Sequence, residues 1–153
     1  MRGSGIMPEV RFYETAPDEK LKFAVIMAKT GGKWVFCRHR ERSTYEMPGG
    51  HREIGEAILD TAKRELYEET GAVRYSIRPV CAYSVAEAES EESFGMLYYA
   101  QIQEFEKELH NEIEEIIITE ELPDNWTYPL IQPKLMEYMR KAGEKDNEKA
   151  SKS

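Results

Sequence analysis

The sequence predicts an α/β fold, a mixed β-sheet with helices on both faces, arranged as an α/β/α sandwich. Three observations carry that prediction. Strand-like and helical runs follow one another in the order strands, helix, strands, helix. Between Ala57 and Thr70 the apolar period lengthens from strand-like to helical. One strand candidate, Phe94–Gln103, is apolar on both faces, as a strand covered on both sides would be. At 153 residues the chain suits one domain with a sizeable core.

The elements follow in order. Lys22–Lys29 (KFAVIMAK) is rich in strand formers, and Lys33–Arg38 (KWVFCR) follows after Thr30-Gly31-Gly32, so the pair reads as a hairpin. A polar stretch leads to an expected turn at Pro48-Gly49-Gly50. In the helix over 57–70, Leu59, Ala62 and Leu66 share a face, and Gly71 stands where a left-handed C-terminal cap belongs. Ser76–Val85 and Phe94–Gln103 are two further strands, and Glu115–Thr119 (EIIIT) is another. Leu130–Lys141 carries Ile131, Leu135, Tyr138 and Met139 at helical spacing, with Pro133 early in the run. The domain is expected over 7–142. The opening MRGSGI is read as an expression-vector remnant with Met7 as native start, and 143–153 as a flexible charged tail.

Composition narrows the function. A net charge of −8 and a pI near 5.1 argue against stable, nonspecific nucleic-acid or anionic-membrane binding. No apolar run approaches the roughly 20 residues a membrane helix needs. The two cysteines, Cys37 and Cys81, form neither a disulfide framework nor a zinc motif, so the expectation is a cytoplasmic protein with reduced thiols.

The stretch RELYEETGA needs more than composition. On a helix, Glu65, Glu68 and Glu69 sit on one face, where like charges cost roughly 0.2–0.5 kcal/mol per pair. Glu-Glu also occurs at 91–92, 114–115 and 120–121, so the dipeptide alone reads as a solvated helix face, and Arg64 as an ordinary surface partner of Glu68. The longer frame, GHREIGEAILDTAKRELYEETGA from Gly50 to Ala72, changes that reading. Gly50, Glu56, Arg64, Glu65, Glu68, Glu69 and Gly71, with the apolar Leu66 and Ala72, fill every specified position of the signature box of the Nudix hydrolase superfamily, and the chain resembles its MutT-type nucleotide pyrophosphohydrolases. Seven chance identities would occur at on the order of 10⁻⁸ per start position. The lead-in Tyr45-Glu46-Met47-Pro48-Gly49 is also similar, with tyrosine where tryptophan is common.

The residues themselves suit hard divalent cations. Oxygen ligands grouped on a rigid helix favour Mg²⁺ or Mn²⁺, one to three ions, over zinc. Metal between protein and substrate would let an acidic chain bind a phosphate anhydride. The resemblance then implies roles. Glu65, Glu68 and Glu69 match the metal-binding carboxylates, one of which acts as base toward water. Arg64 matches the arginine that orients them. Glu56 matches a box glutamate of variable role, structural or outer metal shell. The carbonyl of Gly49 matches one that often completes metal coordination.

Other candidates come with competing readings. Arg38 and Arg40 could clamp phosphate or simply solvate a strand end, whereas His39, Arg42 and His51 read as surface residues. Among Glu112, Glu114 and Glu115, Glu112 is the candidate for an extra base or ligand. Phe94, Trp126 and Tyr128 could stack on a base or pack as structural aromatics. Glu87-Ala88-Glu89-Ser90 carries neither the proline nor the tyrosine that marks some relatives specialised for ADP-ribose or diadenosine polyphosphates. The expected substrate is therefore a (deoxy)nucleoside triphosphate, oxidised purine forms included, cleaved to monophosphate and pyrophosphate. RNA 5′ ends, nucleotide sugars or dinucleotides are the alternatives, and a nucleotide-sensing module without turnover is the alternative of another class. The chain is expected to be a monomer or homodimer.

Overall fold

The computed structural model describes residues 8–87, 92–107 and 113–141; the two terminal segments and Glu112 lie outside them. Seven strands form one mixed sheet: β1 (Pro8–Tyr13), β2 (Leu21–Thr30), β3 (Lys33–His39), β4 (Gly49–His51), β5 (Ala72–Glu87), β6 (Ser93–Phe105) and β7 (Ile113–Thr119). The order is β1-β5-β6-β2-β3-β7, and β4 pairs with β2. Only β2 and β6 run parallel among the described pairs. Helix α1 (Ile58–Thr70) and helix α2 (132–141) complete the fold. No helix among the described residues is long and apolar enough to cross a membrane.

The two helices cover opposite faces, as the alternation of β2 and β6 requires. Ala24, Ile26 and Ala28 of β2 and Tyr98, Ala100 and Ile102 of β6 pack with Ala62 and Leu66 of α1. Met27 and Leu97, from the intervening positions, pack with Leu135 and Met136 of α2. Gly31 (φ 55°) and Gly32 (φ 81°) make the hairpin turn, and Gly71 (φ 79°) caps α1 by donating its N–H to the Tyr67 carbonyl at 2.8 Å.

Three expectations need correction, and one strand was not expected. Leu59 is exposed, and Ile58, one position earlier, packs toward the core with Ala62 and Leu66. Strand β1, the unexpected one, is a short edge strand whose leading proline is tolerated there because it need donate no ladder bond. Strand β5 begins directly at Ala72, four residues earlier than expected. Finally, Pro48-Gly49-Gly50 is no turn. The β2–β3 hairpin pairs only over Ala28–Thr30 and then splays. The next segment enters that gap: Pro48 accepts from Ile26 N–H at 2.9 Å, and Gly49–His51 pair with Phe23–Val25. A Cβ on Gly49 would lie 2.5 Å from the Ala24 carbonyl oxygen, so only glycine lets β4 press this closely on β2. The turn into α1 falls later, where Gly55 has φ 79°.

Candidate active site

Helix α1 buries an unusual stripe for a soluble protein. Thr61, Ala62, Leu66, Glu69 and Thr70 are all buried, and the Glu65 side chain is only 13% exposed. Glu65 and Glu69 therefore point into the splay between β2 and β3, while Glu68, 38% exposed at its side chain, stands at the mouth. Burial, and next the charge of Glu69, push the Glu65 carboxyl up to about 7 despite its bond to Arg64.

Arg64 braces this helix face. Its Nε and Nη2 grip both oxygens of Glu56 at 2.8 and 2.9 Å. Nη1 donates to Glu65 Oε1 at 2.6 Å and reaches Glu68 at 3.4 Å, and Nη2 also donates to the His51 carbonyl at 3.0 Å. The Glu56 carboxylate accepts further from Thr61 Oγ1 (2.7 Å) and Glu53 N–H (3.1 Å). Those bonds, the Arg64 one foremost, hold its carboxyl down at about 2. Glu56 thus anchors the arginine that carries Glu65, tying the loop before α1 to the middle of the helix.

Strand β4 supplies the opposite wall. The Gly49 N–H donates to Glu69 Oε1 at 2.7 Å. Gly50 packs flat against the Glu65 carboxylate, whose oxygens would lie 2.6 Å from a Cβ there. The two glycines are therefore not interchangeable with alanine, one because of the strand behind it and the other because of the carboxylate before it.

A third wall corrects the expectation that His39 is a surface residue. His39 Nε2 lies 3.0 Å from Glu69 Oε2 and 3.7 Å from Glu46 Oε2. Its hydrogen bond to Glu69 raises the imidazole pKa. Cys37, two residues earlier on the same face of β3, is fully buried beside them. Glu46 is also buried, and that burial raises its carboxyl pKa. The available signal was the alternation Val35, Cys37, His39, which turns His39 toward α1 rather than to solvent.

On the α2 side, a cleft of about 490 Å³ is lined by Phe23, Val25, Met47, Tyr83, Ile131 and Gln132 among others, and it reaches Gly49 and Gly50. The Gln132 Oε1 accepts from Met47 N–H at 2.8 Å, fixing the amide at the cleft wall. Strand β4 thus lies between the Glu65–Glu69 carboxylates and a mostly apolar cleft whose lining also includes Glu46 and Glu87.

The remaining candidates scatter. Of the aromatic and basic ones, Tyr128 lines the cleft, with the Arg42 guanidinium 5.8 Å from its ring centre. Trp126 instead packs edge-on against Phe36 at 5.3 Å, and Phe94 lies 5.6 Å from Tyr13 beneath Lys20. Arg38 is engaged by Glu115 at 3.0 Å and by the Arg42 carbonyl. Arg40 lies in the turn just after β3 and is not among the cleft-lining residues.

Comparison with known proteins places this geometry. A family profile described as the NUDIX domain matches residues 19–137. A Bacillus subtilis (strain 168) protein named "Putative 8-oxo-dGTP diphosphatase YtkD" is 34% identical over 105 residues, covering 68% of this chain. The match spans 65% of that relative's length. The crystal structure of a B. subtilis pyrophosphohydrolase, BsRppH, superposes with a TM-score of 0.74 at 26% identity, over 89% of this chain and 90% of that one. A UDP-X diphosphatase structure, 18% identical, shares the fold with a TM-score of 0.63, over 76% of this chain and 59% of that one.

Proposed function

This chain belongs to the NUDIX family, and from that premise we propose that it is a divalent-metal-dependent pyrophosphohydrolase of (deoxy)nucleoside triphosphates, oxidised purine forms included. The products are a nucleoside monophosphate and pyrophosphate. One observation carries the reading: the Arg64-braced carboxylates and the apolar cleft meet at Gly49 and Gly50. A triphosphate held at the carboxylates can extend its base into the cleft. The relative named for 8-oxo-dGTP diphosphatase supports a purine triphosphate.

The donor set fits Mg²⁺ or Mn²⁺. The buried Glu69 carboxylate and the half-buried Glu65 carboxylate beside it, whose pKa is raised, form a cluster that a hard dication relieves. Bound there, the ion would neutralise phosphate charge and lower the pKa of a coordinated water. The chain's own residues do the positioning. Arg64 holds Glu65 and Glu68 in register, the Gly49 N–H orients Glu69, and Gly50 leaves the Glu65 carboxylate room against β4. Glu68, the solvent-facing member, has the access a base toward water requires.

The second reading, hydrolysis at RNA 5′ ends, draws on the likeness to BsRppH. The net charge of −8 weighs against a long RNA groove. A panel of nucleoside triphosphates, oxidised purine triphosphates, nucleotide sugars, dinucleotides and 5′-triphosphorylated RNA, each with Mg²⁺ or Mn²⁺, tests both. Pyrophosphate release fastest from a free triphosphate is expected. Preferential release from RNA would select the second reading, and tight binding with no turnover would replace both with a nucleotide sensor.

A further inference from the structure

The third wall of the site holds two donors that the magnesium chemistry does not need, Cys37 and His39. Cys37 Sγ, a nitrogen of His39 and a carboxylate oxygen of Glu69 all lie within 4.8 Å of one another. Three donor types, sulfur, nitrogen and oxygen, converge from β3 and α1. Glu46 stands behind them: its Oε2 is 3.7 Å from His39 Nε2, and its buried Oε1 has no hydrogen-bond partner but lies 3.5 Å from Arg42 Nη1. Arg42 thus meets one oxygen of Glu46 from the surface side and leaves Oε2 turned toward His39.

We propose that Cys37, His39 and Glu69, with Glu46 beside them, form a binding site for one thiophilic divalent cation of the Zn²⁺ type, sharing Glu69 with the box carboxylates. Hard and soft cations would sort between the two sites by ligand type, because Mg²⁺ prefers oxygen whereas thiolate and imidazole favour Zn²⁺, Cd²⁺ or Co²⁺. Tetrahedral bonds of about 2.0–2.3 Å place donors roughly 3.3–3.7 Å apart. The donors need therefore close by no more than about 1–1.5 Å, a movement within reach of side-chain rotation at His39 and Glu69. His39, 24% exposed at its side chain, is the solvent-facing member and the route in.

The step balances without redox chemistry. The Cys37 S–H, which now donates to the Glu46 carbonyl at 3.5 Å, releases its proton to water. Sulfur and imidazole nitrogen each donate a lone pair to the ion. Glu69 Oε2 exchanges its His39 contact for the cation. A water or Glu46 completes four-coordination. One consequence rests on the proposed hydrolase function: an ion held here draws Glu69 away from the Gly49 N–H and from the magnesium site, so thiophilic metals inhibit.

The test uses the full chain freed of metal and titrated with Cd²⁺ and Co²⁺. A thiolate-to-metal charge-transfer band saturating at one ion per chain is expected. Cys37→Ser should abolish it, His39→Gln should weaken Cd²⁺ affinity by about 10–100-fold, and Cys81→Ser, in the opposite core cluster, should leave it intact. In turnover with Mg²⁺ in excess, Zn²⁺ should inhibit the wild type at far lower concentration than it inhibits Cys37→Ser. Absence of the band in folded wild type overturns the site, and so does a band that follows Cys81. Because the band needs no turnover, a band in a protein that hydrolyses nothing would uphold the site while removing the hydrolase reading.

Discussion

Glu56 and Glu65 are both held by Arg64, yet they sit in opposite electrostatic conditions. In the loop just before α1, Glu56 takes both arms of the guanidinium, a threonine hydroxyl and a backbone N–H, and its carboxyl is held down at about 2. Nine residues on, Glu65 has one short bond to the same arginine, is half-buried, and faces Glu69, so its carboxyl rises to about 7. The difference teaches that a glutamate-rich signature divides its labour. One carboxylate is satisfied within the protein and serves as an anchor. The other is left short of partners, and that deficit is what a metal ion can fill.

Substitutions can break this contrast, in decreasing order of effect. Glu69→Gln removes the charge that disfavours ionised Glu65. Turnover should fall about 10²–10⁴-fold, and Glu68→Gln should also lose most activity, while metal-free melting temperature holds or rises. Unchanged turnover in both would remove the metal-site assignment. Arg64→Lys keeps the charge and loses the fork; steady-state assays should show turnover reduced by about 10–100-fold. Gly50→Ala pushes a methyl into the Glu65 carboxylate, costing about 1–3 kcal/mol in urea unfolding. Glu56→Gln should lower the melting temperature yet reduce turnover less than Arg64→Lys does, because Glu56 acts only through the arginine. A larger loss from Glu56→Gln than from Arg64→Lys would place Glu56 among the metal ligands instead.

The fold was legible where periodicity is strong. Strand β6 reads as buried on both faces because both of its alternating sets are apolar, and both helices fall within a residue or two of their expected limits. Strand β4 was not legible. Two glycines after a proline signal a turn by local chemistry, and only the splay between β2 and β3, a long-range feature, makes them a strand. The site divides in the same way. The box glutamates and Arg64 are local to one helix and could be read by spacing. His39, Glu46 and Gln132 reach the site from separate elements, and each alone resembles an ordinary surface or packing residue.

The most direct test of the repulsion between Glu65 and Glu69 is the pH dependence of metal-free stability. Glu65 has a folded-state pKa of about 7 against an ordinary value of 4.5, so the folded state binds the extra proton. Its contribution favours folding at low pH and is lost as pH rises through about 4.5–7, a change on the order of 3 kcal/mol. His39 and Glu46, with pKa values also raised, push in the same direction. Glu56, its pKa lowered, acts in the opposite direction but only below about 4.5. Urea unfolding of the metal-free protein at pH 5 and pH 8 should therefore show lower stability at pH 8. Saturating Mg²⁺ or Mn²⁺ should restore most of it, and Glu65→Gln should flatten the slope. Equal stability at both pH values, with no gain from either metal, would contradict the account.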